Sequence, residues 1–120
     1  CVQLLNDVPN LVAVGINCCA PDDVAPALER LASATDPPLV PKPNLGGTWD
    51  GNVGDFVGAV SGVDPVSSGD RSPGDPQLLR SWLDLGARLV GGCCGTGTAR
   101  LGRLAGQLSQ LGSAQGRETA

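Results

Sequence analysis

Hydrophobic positions along the chain form three short apolar runs, and each run is followed by a segment with helical spacing. The first run covers residues 11–19 (LVAVGINCC) and predicts a strand that ends in polar residues. Asp22 or Asp23 is placed to cap the helix that follows. The apolar face of that helix comprises Val24, Ala27, Leu28 and Leu31.

The other two runs repeat the pattern. Residues 37–47 (PPLVPKPNLGG) predict a second strand, weakened by its prolines, and residues 87–94 (ARLVGGCC) predict a third. A helix is predicted over residues 77–85, before the third run. A last helix is predicted after it, from apolar residues at Leu101, Leu104, Ala105, Leu108 and Leu111. Short apolar strands alternating with helices favour an α/β fold with a parallel sheet covered on both faces.

Two segments have no such pattern. Residues 50–76 are rich in Gly, Asp, Ser and Pro and predict a variable surface loop, with a helical part near residues 53–60. Residues 112–120 (GSAQGRETA) are predicted to form a disordered tail. The 120 residues suit one small domain or a part of a larger one.

Charge and composition exclude several classes of partner. The net charge is −4, and neither a basic run nor a set of stacking aromatic residues is present, so no nucleic-acid partner is expected. No apolar run approaches the roughly 18 residues that span a bilayer, so no membrane partner is expected either. Only 2% of the residues are aromatic, which predicts a core of Leu, Val and Ala.

The cysteines lie at the ends of predicted strands. Their odd number and adjacent pairs argue against a secreted disulfide scaffold and favour a reducing, cytoplasmic compartment. Binding sites of parallel α/β folds gather at the carboxyl ends of the strands. The number of residues between the two cysteine pairs fits two βα units of a (β/α)₈ barrel plus one expanded loop. Both pairs can therefore lie at the same end of such a barrel. The five positions are Cys1, Cys18, Cys19, Cys93 and Cys94.

Three interpretations of the cysteine pairs remain open at this point: apolar packing, redox chemistry and metal binding. The chain has no C-x-x-C motif, and a disulfide between adjacent cysteines is strained. Because the chain has no histidine, sulfur and carboxylate are its strong ligands, and sulfur favours zinc. Three thiolates and one open position are typical of a catalytic zinc site. Gly91, Gly92 and Gly95 give the backbone freedom to turn both neighbouring sulfurs toward one ion.

Three motifs resemble a known family: VGINC at residues 14–18, PN-x-G at 43–46, and W-x-x-LGARLVGGCC at 82–94. They resemble the C-terminal part of the zinc-dependent homocysteine S-methyltransferases, over about residues 11–108. The resemblance implies that residues 1–120 form the last three βα units of a truncated (β/α)₈ TIM-type barrel. About five units that precede this part in the family are absent before Leu11. We therefore expect a piece of a longer enzyme, without the N-terminal half of its barrel.

The resemblance also implies a site. Cys18, Cys93 and Cys94 match the zinc ligands, whereas Cys19 does not. Asn17 and Asn44 are candidates for substrate binding, with hydrogen bonding at turns and strand ends as the alternative. The implied reaction is attack of a zinc-activated homocysteine thiolate on the methyl group of S-methylmethionine or S-adenosylmethionine, giving methionine without a general base from this chain.

Alternatives and departures qualify this expectation. The same motifs occur in betaine- and cobalamin-linked relatives, and a catalytically incomplete zinc-binding fragment or a thiol redox protein are the other hypotheses. Lys42 precedes the PN motif where an aromatic residue is usual in the family. The other departures are Leu45, Gly47, Gly95 and Thr98. They concern the substrate pocket and full activity rather than the three metal ligands.

Overall fold

The computed structural model describes residues 2–58 and 73–118, and it has the predicted α/β architecture. A 3₁₀ helix, Val2–Asp7, precedes the first strand. The strands are β1 (Val14–Asn17), β2 (Leu39–Lys42), β3 (Thr48–Asp50) and β4 (Asp55–Val57). The helices are α1 (Pro21–Ala32), α2 (Pro76–Asp84) and α3 (Thr98–Glu118). Within the described ranges, no helix is both long enough and apolar enough to cross a membrane.

β1 and β2 form a parallel pair whose register runs from Val14 opposite Leu39 to Asn17 opposite Lys42. The hydrogen bonding continues beyond both strands. The Cys18 N–H donates to the Lys42 carbonyl at 2.9 Å, and the Asn44 N–H donates to the Cys19 carbonyl at 2.9 Å. The residues that follow β1 are therefore fixed against the residues that follow β2.

The third apolar run lies parallel to β2 but is not a regular strand. Its one ladder position pairs Ala87 with Leu39. The Arg88 N–H donates to the Leu39 carbonyl at 3.0 Å, and the Gly91 N–H donates to the Pro41 carbonyl at 3.1 Å. Between these two hydrogen bonds the third run advances by three residues while β2 advances by two, as in a β-bulge.

Pro41 in β2 and Pro43 just after it explain why the predicted third strand is wrong over most of residues 87–94. Every second residue along β2, starting from Leu39, is placed to donate its N–H to this run. The next two such positions are Pro41 and Pro43, which have no N–H to donate. Leu39 is the residue of β2 that donates, to the Gly86 carbonyl at 3.2 Å. The run is still held at its end, because the Cys93 N–H donates to the Pro43 carbonyl at 2.9 Å.

The core lies between the sheet and the helices. Val24 and Leu28 of α1 and Leu79 and Trp82 of α2 are fully buried. They pack with buried side chains from the sheet, the third run and α3, which are Leu39, Ala87 and Leu104. The expected apolar face of α1 is confirmed at its centre, and burial of these side chains fixes the helices on one side of the sheet.

The predicted cap of α1 is wrong. Ala20 is the N-cap residue and makes no side-chain capping bond, while Asp22 and Asp23 lie in the first turn. Pro21 at the first helical position needs no hydrogen-bond acceptor, so this helix begins without a polar cap. The two carboxylates still favour helix formation, because negative charge is stabilising at a helix N-terminus.

Alternate residues of β2 point to opposite sides of the sheet. Leu39 and Pro41 are buried toward the helices, while Val40 is half-buried and Lys42 is exposed. Gly15 and Asn17 lie opposite Val40 and Lys42 in the register. We call the side formed by Gly15, Asn17, Val40 and Lys42 the open face of the sheet.

The predicted helical part of residues 50–76 is wrong over the residues described. β3 and β4 form an antiparallel hairpin in which Trp49 faces Phe56, with their rings 5.3 Å apart in an edge-to-face arrangement. Aromatic cross-strand pairs stabilise such hairpins. The rest of this prediction, at residues 59–72, lies outside the described residues. The tail expected to be disordered from residue 112 is helical up to Glu118, as a continuation of α3.

Candidate metal centre

Three cysteines from two distant parts of the chain meet at the carboxyl end of the sheet. The sulfur atoms of Cys18, Cys93 and Cys94 all lie within 4.8 Å of one another. Cys18 Sγ is 3.4 Å from Cys94 Sγ, and Cys93 Sγ is 3.9 Å from Cys94 Sγ. We call these three residues the thiol triad. Cys18 and Cys93 are half-buried, and Cys94 is exposed, so the triad is open to solvent on one side.

A left-handed turn at Cys18 brings its sulfur into the triad. Cys18 has φ of +58°, a conformation that is uncommon for residues other than glycine. The strand therefore ends abruptly at Asn17, and the chain bends before α1 begins. This conformation separates the directions of Cys18 and Cys19, although the two residues are neighbours with identical side chains.

A tight turn orients the side chains of the second cysteine pair, Cys93 and Cys94. The Thr96 N–H donates to the Cys93 carbonyl at 3.0 Å, which closes a four-residue turn from Cys93 to Thr96. Gly95 has φ of +79° at the third position of this turn, where glycine is favoured. The turn allows both neighbouring sulfurs to face Cys18, as the sequence predicted for Gly95.

Gly91 and Gly92 act through space rather than through unusual dihedral angles. A Cβ on Gly92 would overlap the side chain of Thr96, which folds back over that backbone. A Cβ on Gly91 would lie 3.2 Å from Cγ of Lys42. These two glycines therefore let side chains pack directly on the segment that carries the second cysteine pair.

Hydrogen bonds within the triad shift the pKa values of Cys18 and Cys94. Hydrogen bonds from Cys93 and Cys94 lower the pKa of Cys18, because they stabilise its thiolate. The hydrogen bond to Cys18, followed by the one to Cys93, raises the pKa of Cys94 to about 11. Of these two thiols, Cys18 therefore loses its proton more readily than Cys94.

Cys19 lies outside the triad. It is half-buried and packs against the hydrophobic core. Burial raises the pKa of the Cys19 thiol, so it remains protonated near neutral pH. Its carbonyl, not its sulfur, supports the site by accepting the hydrogen bond from Asn44.

The two asparagines predicted to bind substrate differ in position. Asn44 is 4% exposed, and its Oδ1 accepts a hydrogen bond from the Gly46 N–H at 2.7 Å. Its side chain also hydrogen-bonds Cys18, and this lowers the pKa of that thiol. Asn17 is exposed at the end of β1, on the open face. Asn44 thus makes a hydrogen bond at a turn, and substrate binding by Asn44 stays a prediction.

The donor set fits a zinc ion. A tetrahedral ion about 2.3 Å from each sulfur requires sulfurs about 3.8 Å apart, and the triad distances lie around this value. In the described part of the chain, no carboxylate or other cysteine joins the group. Three soft ligands with one side open to solvent match a site that accepts an exogenous fourth ligand.

Sequence reasoning missed the role of two residues near the triad. Thr96 covers Gly92, and its buried Oγ1 has no hydrogen-bond partner among residues 2–58 and 73–118, so it acts as a packing group. Lys42 lies beside Gly91 on the open face and departs from the family pattern. The sequence signals are the closeness of both residues to a motif and, for Lys42, its departure from the family pattern.

Comparison with known proteins shows the family that this chain resembles. A family profile described as "Homocysteine S-methyltransferase" matches residues 1–108. Homocysteine S-methyltransferase 1 of Arabidopsis thaliana is 33% identical over 96 residues, which are 80% of this chain and 27% of that protein. Homocysteine S-methyltransferase of Escherichia coli is 38% identical over 103 residues, covering 86% of this chain and 30% of that protein.

A solved structure gives the same result. The metallated form of the homocysteine methyltransferase MmuM from Escherichia coli has a TM-score of 0.61 and 32% identity, and the match covers 88% of this chain and 27% of that one. The chain thus spans less than a third of the length of these relatives. Since the family profile covers most of its residues, the chain belongs to the homocysteine S-methyltransferase family.

Proposed function

We propose that this chain carries the zinc site of an enzyme that methylates homocysteine. The observation that supports the proposal is the convergence of Cys18, Cys93 and Cys94 into one open thiol triad. In the proposed reaction, the homocysteine sulfur attacks the methyl carbon of a sulfonium donor. The carbon–sulfur bond of the donor breaks with its electron pair on the donor sulfur, and the homocysteine thiol proton goes to solvent. The products are methionine and a neutral thioether.

Residues of this chain would bind the metal and orient its open side. The triad sulfurs hold the ion, which supplies the positive charge that keeps a homocysteine thiol deprotonated near neutral pH. Asn44 hydrogen-bonds Cys18 and is itself fixed by Gly46 and by the Cys19 carbonyl, so it orients the first ligand. Such partners of metal ligands stabilise the ligand geometry. Asn17 remains a candidate for substrate contact from the open face.

We further propose that β1, β2 and the third run are the last three strands of a (β/α)₈ barrel, with residues 1–120 in the C-terminal part of a homocysteine-binding domain. Two features support this proposal: the parallel order of the three segments, and the triad at their carboxyl ends. Barrel enzymes have their active sites at that end. The four cysteines described are free thiols, which favours a reducing location such as the cytoplasm.

Zinc content tests the site. In the full-length natural protein we expect one zinc per chain by mass spectrometry of the purified protein. The variants Cys18→Ser and Cys94→Ser should lose most of this zinc, because a hydroxyl replaces a thiolate ligand. Cys19→Ser is the matched control and should retain it. Equal zinc loss in Cys19→Ser and Cys94→Ser would contradict the assignment of the triad.

Methyl transfer tests the reaction and the donor. We expect the zinc-loaded protein to form methionine from homocysteine with S-methylmethionine or S-adenosylmethionine. Betaine and methylcobalamin are the comparison donors, and product formation with either alone would replace the sulfonium proposal. Zinc binding without methionine formation from any of these donors would instead support a metal-binding protein without turnover.

A further inference from the structure

Lys42 occupies a specific place next to the thiol triad. It is the last residue of β2, it lies on the open face opposite Asn17, and its side chain is exposed. Its carbonyl accepts the Cys18 N–H at 2.9 Å. The backbone that presents Lys42 is therefore bonded directly to the backbone of the first triad cysteine.

The stem of Lys42 is supported from the other side by the third run. Cγ and Cδ of Lys42 lie 3.2 Å and 3.4 Å from the position that a Cβ on Gly91 would take. Gly91 is two residues before Cys93, and its missing side chain leaves the space that the methylene groups use. Lys42 thus lies between the two segments that supply the triad.

The charge of Lys42 is not neutralised by a protein partner in residues 2–58 and 73–118, where no carboxylate pairs with its ammonium group. Arg88, the nearest cation along the third run, is engaged differently. It lies at the other end of that run, and its Nη1 donates to the carbonyls of Ala87 and Leu83. Lys42 is therefore the cation of the open face that is placed to meet an anionic ligand beside the triad.

We propose that Lys42 binds the α-carboxylate of the thiol amino acid whose sulfur occupies the open side of the triad. This inference rests on the proposed function, because it takes homocysteine as the ligand. A zwitterionic amino acid brings its carboxylate next to a site that already carries thiolate charge, so a lysine reduces the repulsion and fixes the orientation. Hydrogen bonds between charged groups are the stronger ones.

Two thiol ligands that differ only by a carboxylate test whether Lys42 binds that carboxylate. The dissociation constants of L-homocysteine and 3-aminopropane-1-thiol are measured by calorimetry on the zinc-loaded, full-length protein. In Lys42→Gln we expect the constant for homocysteine to rise about tenfold, since one charge-assisted interaction is lost. The constant for 3-aminopropane-1-thiol should change by less than about twofold, because that thiol has no carboxylate.

The controls address charge and folding. Lys42→Arg should keep most of the homocysteine affinity, and Arg88→Gln, which removes a cation at the other end of the run, should change neither constant. Zinc content and circular dichroism check that each variant is folded. Equal weakening of both thiols in Lys42→Gln, or no change in either, overturns the proposal. A wild-type protein that binds neither thiol overturns the proposed function as well, so the two failures are distinguishable.

Discussion

Gly15 lies where β1 and β2 approach each other closely, on the strand that leads to the triad. A Cβ at this position would overlap the carbonyl oxygen of Val40, which belongs to the backbone of β2. A backbone atom cannot move aside as a flexible side chain does, so β1 itself would have to shift. The position of Cys18, three residues further along, depends on this contact.

Gly15→Ala should therefore destabilise the protein by about 1–3 kcal/mol, as overpacking does. It should also weaken zinc binding, because the end of β1 is displaced. Urea unfolding and zinc titration measure the two effects. Gly102→Ala is the control: nothing lies within 4 Å of a Cβ there, in an exposed part of α3. That variant should gain up to about 1 kcal/mol from helix propensity. Unchanged stability in Gly15→Ala would show that the strands accommodate the methyl group.

Leu45 and Gly95 form a second contact in which a small residue is required. A Cβ on Gly95 would lie 2.9 Å from Cδ1 of Leu45, which is 6% exposed, and Gly95 also has a positive φ. Both positions depart from the family pattern described for the sequence. The apolar contact accounts for their occurring together, since the buried leucine takes the space beside residue 95.

At the scale of elements, α2 shows a complete N-terminal cap. Oδ1 of Asp75 accepts hydrogen bonds from the N–H groups of Gln77 at 2.7 Å and Leu78 at 3.4 Å, and Pro76 occupies the first position of the helix. α2 contributes Leu79 and Trp82 to the core, so its start influences packing as well as helix formation.

Asp75→Ala should lower the free energy of unfolding by about 1 kcal/mol, the usual cost of losing a capping side chain. Asp75→Asn is the matched variant and should keep nearly all of the stability, because an amide oxygen accepts the same bonds. Denaturant unfolding of the three proteins provides the comparison. If the alanine and asparagine variants were equally destabilised, the lost charge rather than the hydrogen bonds would be the cause.

The elements also show where sequence patterns mislead. An aromatic residue lies at the centre of each of the two short segments 48–50 and 55–57, which fits a hairpin. The Gly- and Asp-rich composition around them instead favours a loop with some helix. The hairpin depends on the pairing of Trp49 with Phe56 and on a turn in which the Gly54 N–H donates to the Asp50 carbonyl at 2.8 Å. Cross-strand contacts of this kind are not encoded in either segment alone.

At the scale of the whole molecule, the triad connects distant parts of the chain. Cys18 and Cys94 are 76 residues apart in sequence. The helices α1 and α2 lie between them along the chain, and both contribute side chains to the core. A bound ion would join the end of β1 to the end of the third run. Because the unfolded chain does not preform this site, metal binding should stabilise the folded protein.

Removal of metal should therefore lower the stability of the wild-type protein. At a free zinc concentration 100 times the dissociation constant, binding contributes about 2.7 kcal/mol, and a chelator should remove this amount. The measurement is urea unfolding with and without chelator. In Cys94→Ser the chelator should have little effect. A chelator effect of the same size in that variant would mean that the stabilising ion binds elsewhere.

Much of the organisation was predictable from local patterns. The bounds of α2 lie within one residue of the prediction, and α3 contains all of the predicted apolar positions but continues to Glu118, because apolar spacing reflects the face that a helix buries and not where the helix ends. The third strand was not predictable in detail. Its pairing depends on prolines in a different segment, and hydrogen bonds between segments are absent from any single-segment pattern.

The α/β character and the family follow from the sequence alone, through the spacing of apolar residues and short motifs such as GINC and GGCC. The family motif already favours Cys18 over Cys19 as a ligand, and the tertiary structure gives the physical reason for that choice. Cys18 and Cys19 have the same chemistry, and a left-handed turn at Cys18 sends one sulfur to the site and the other into the core. Only the tertiary structure decided the place of Lys42 beside the triad, because that position depends on the register of β1 with β2 and on the space left by Gly91.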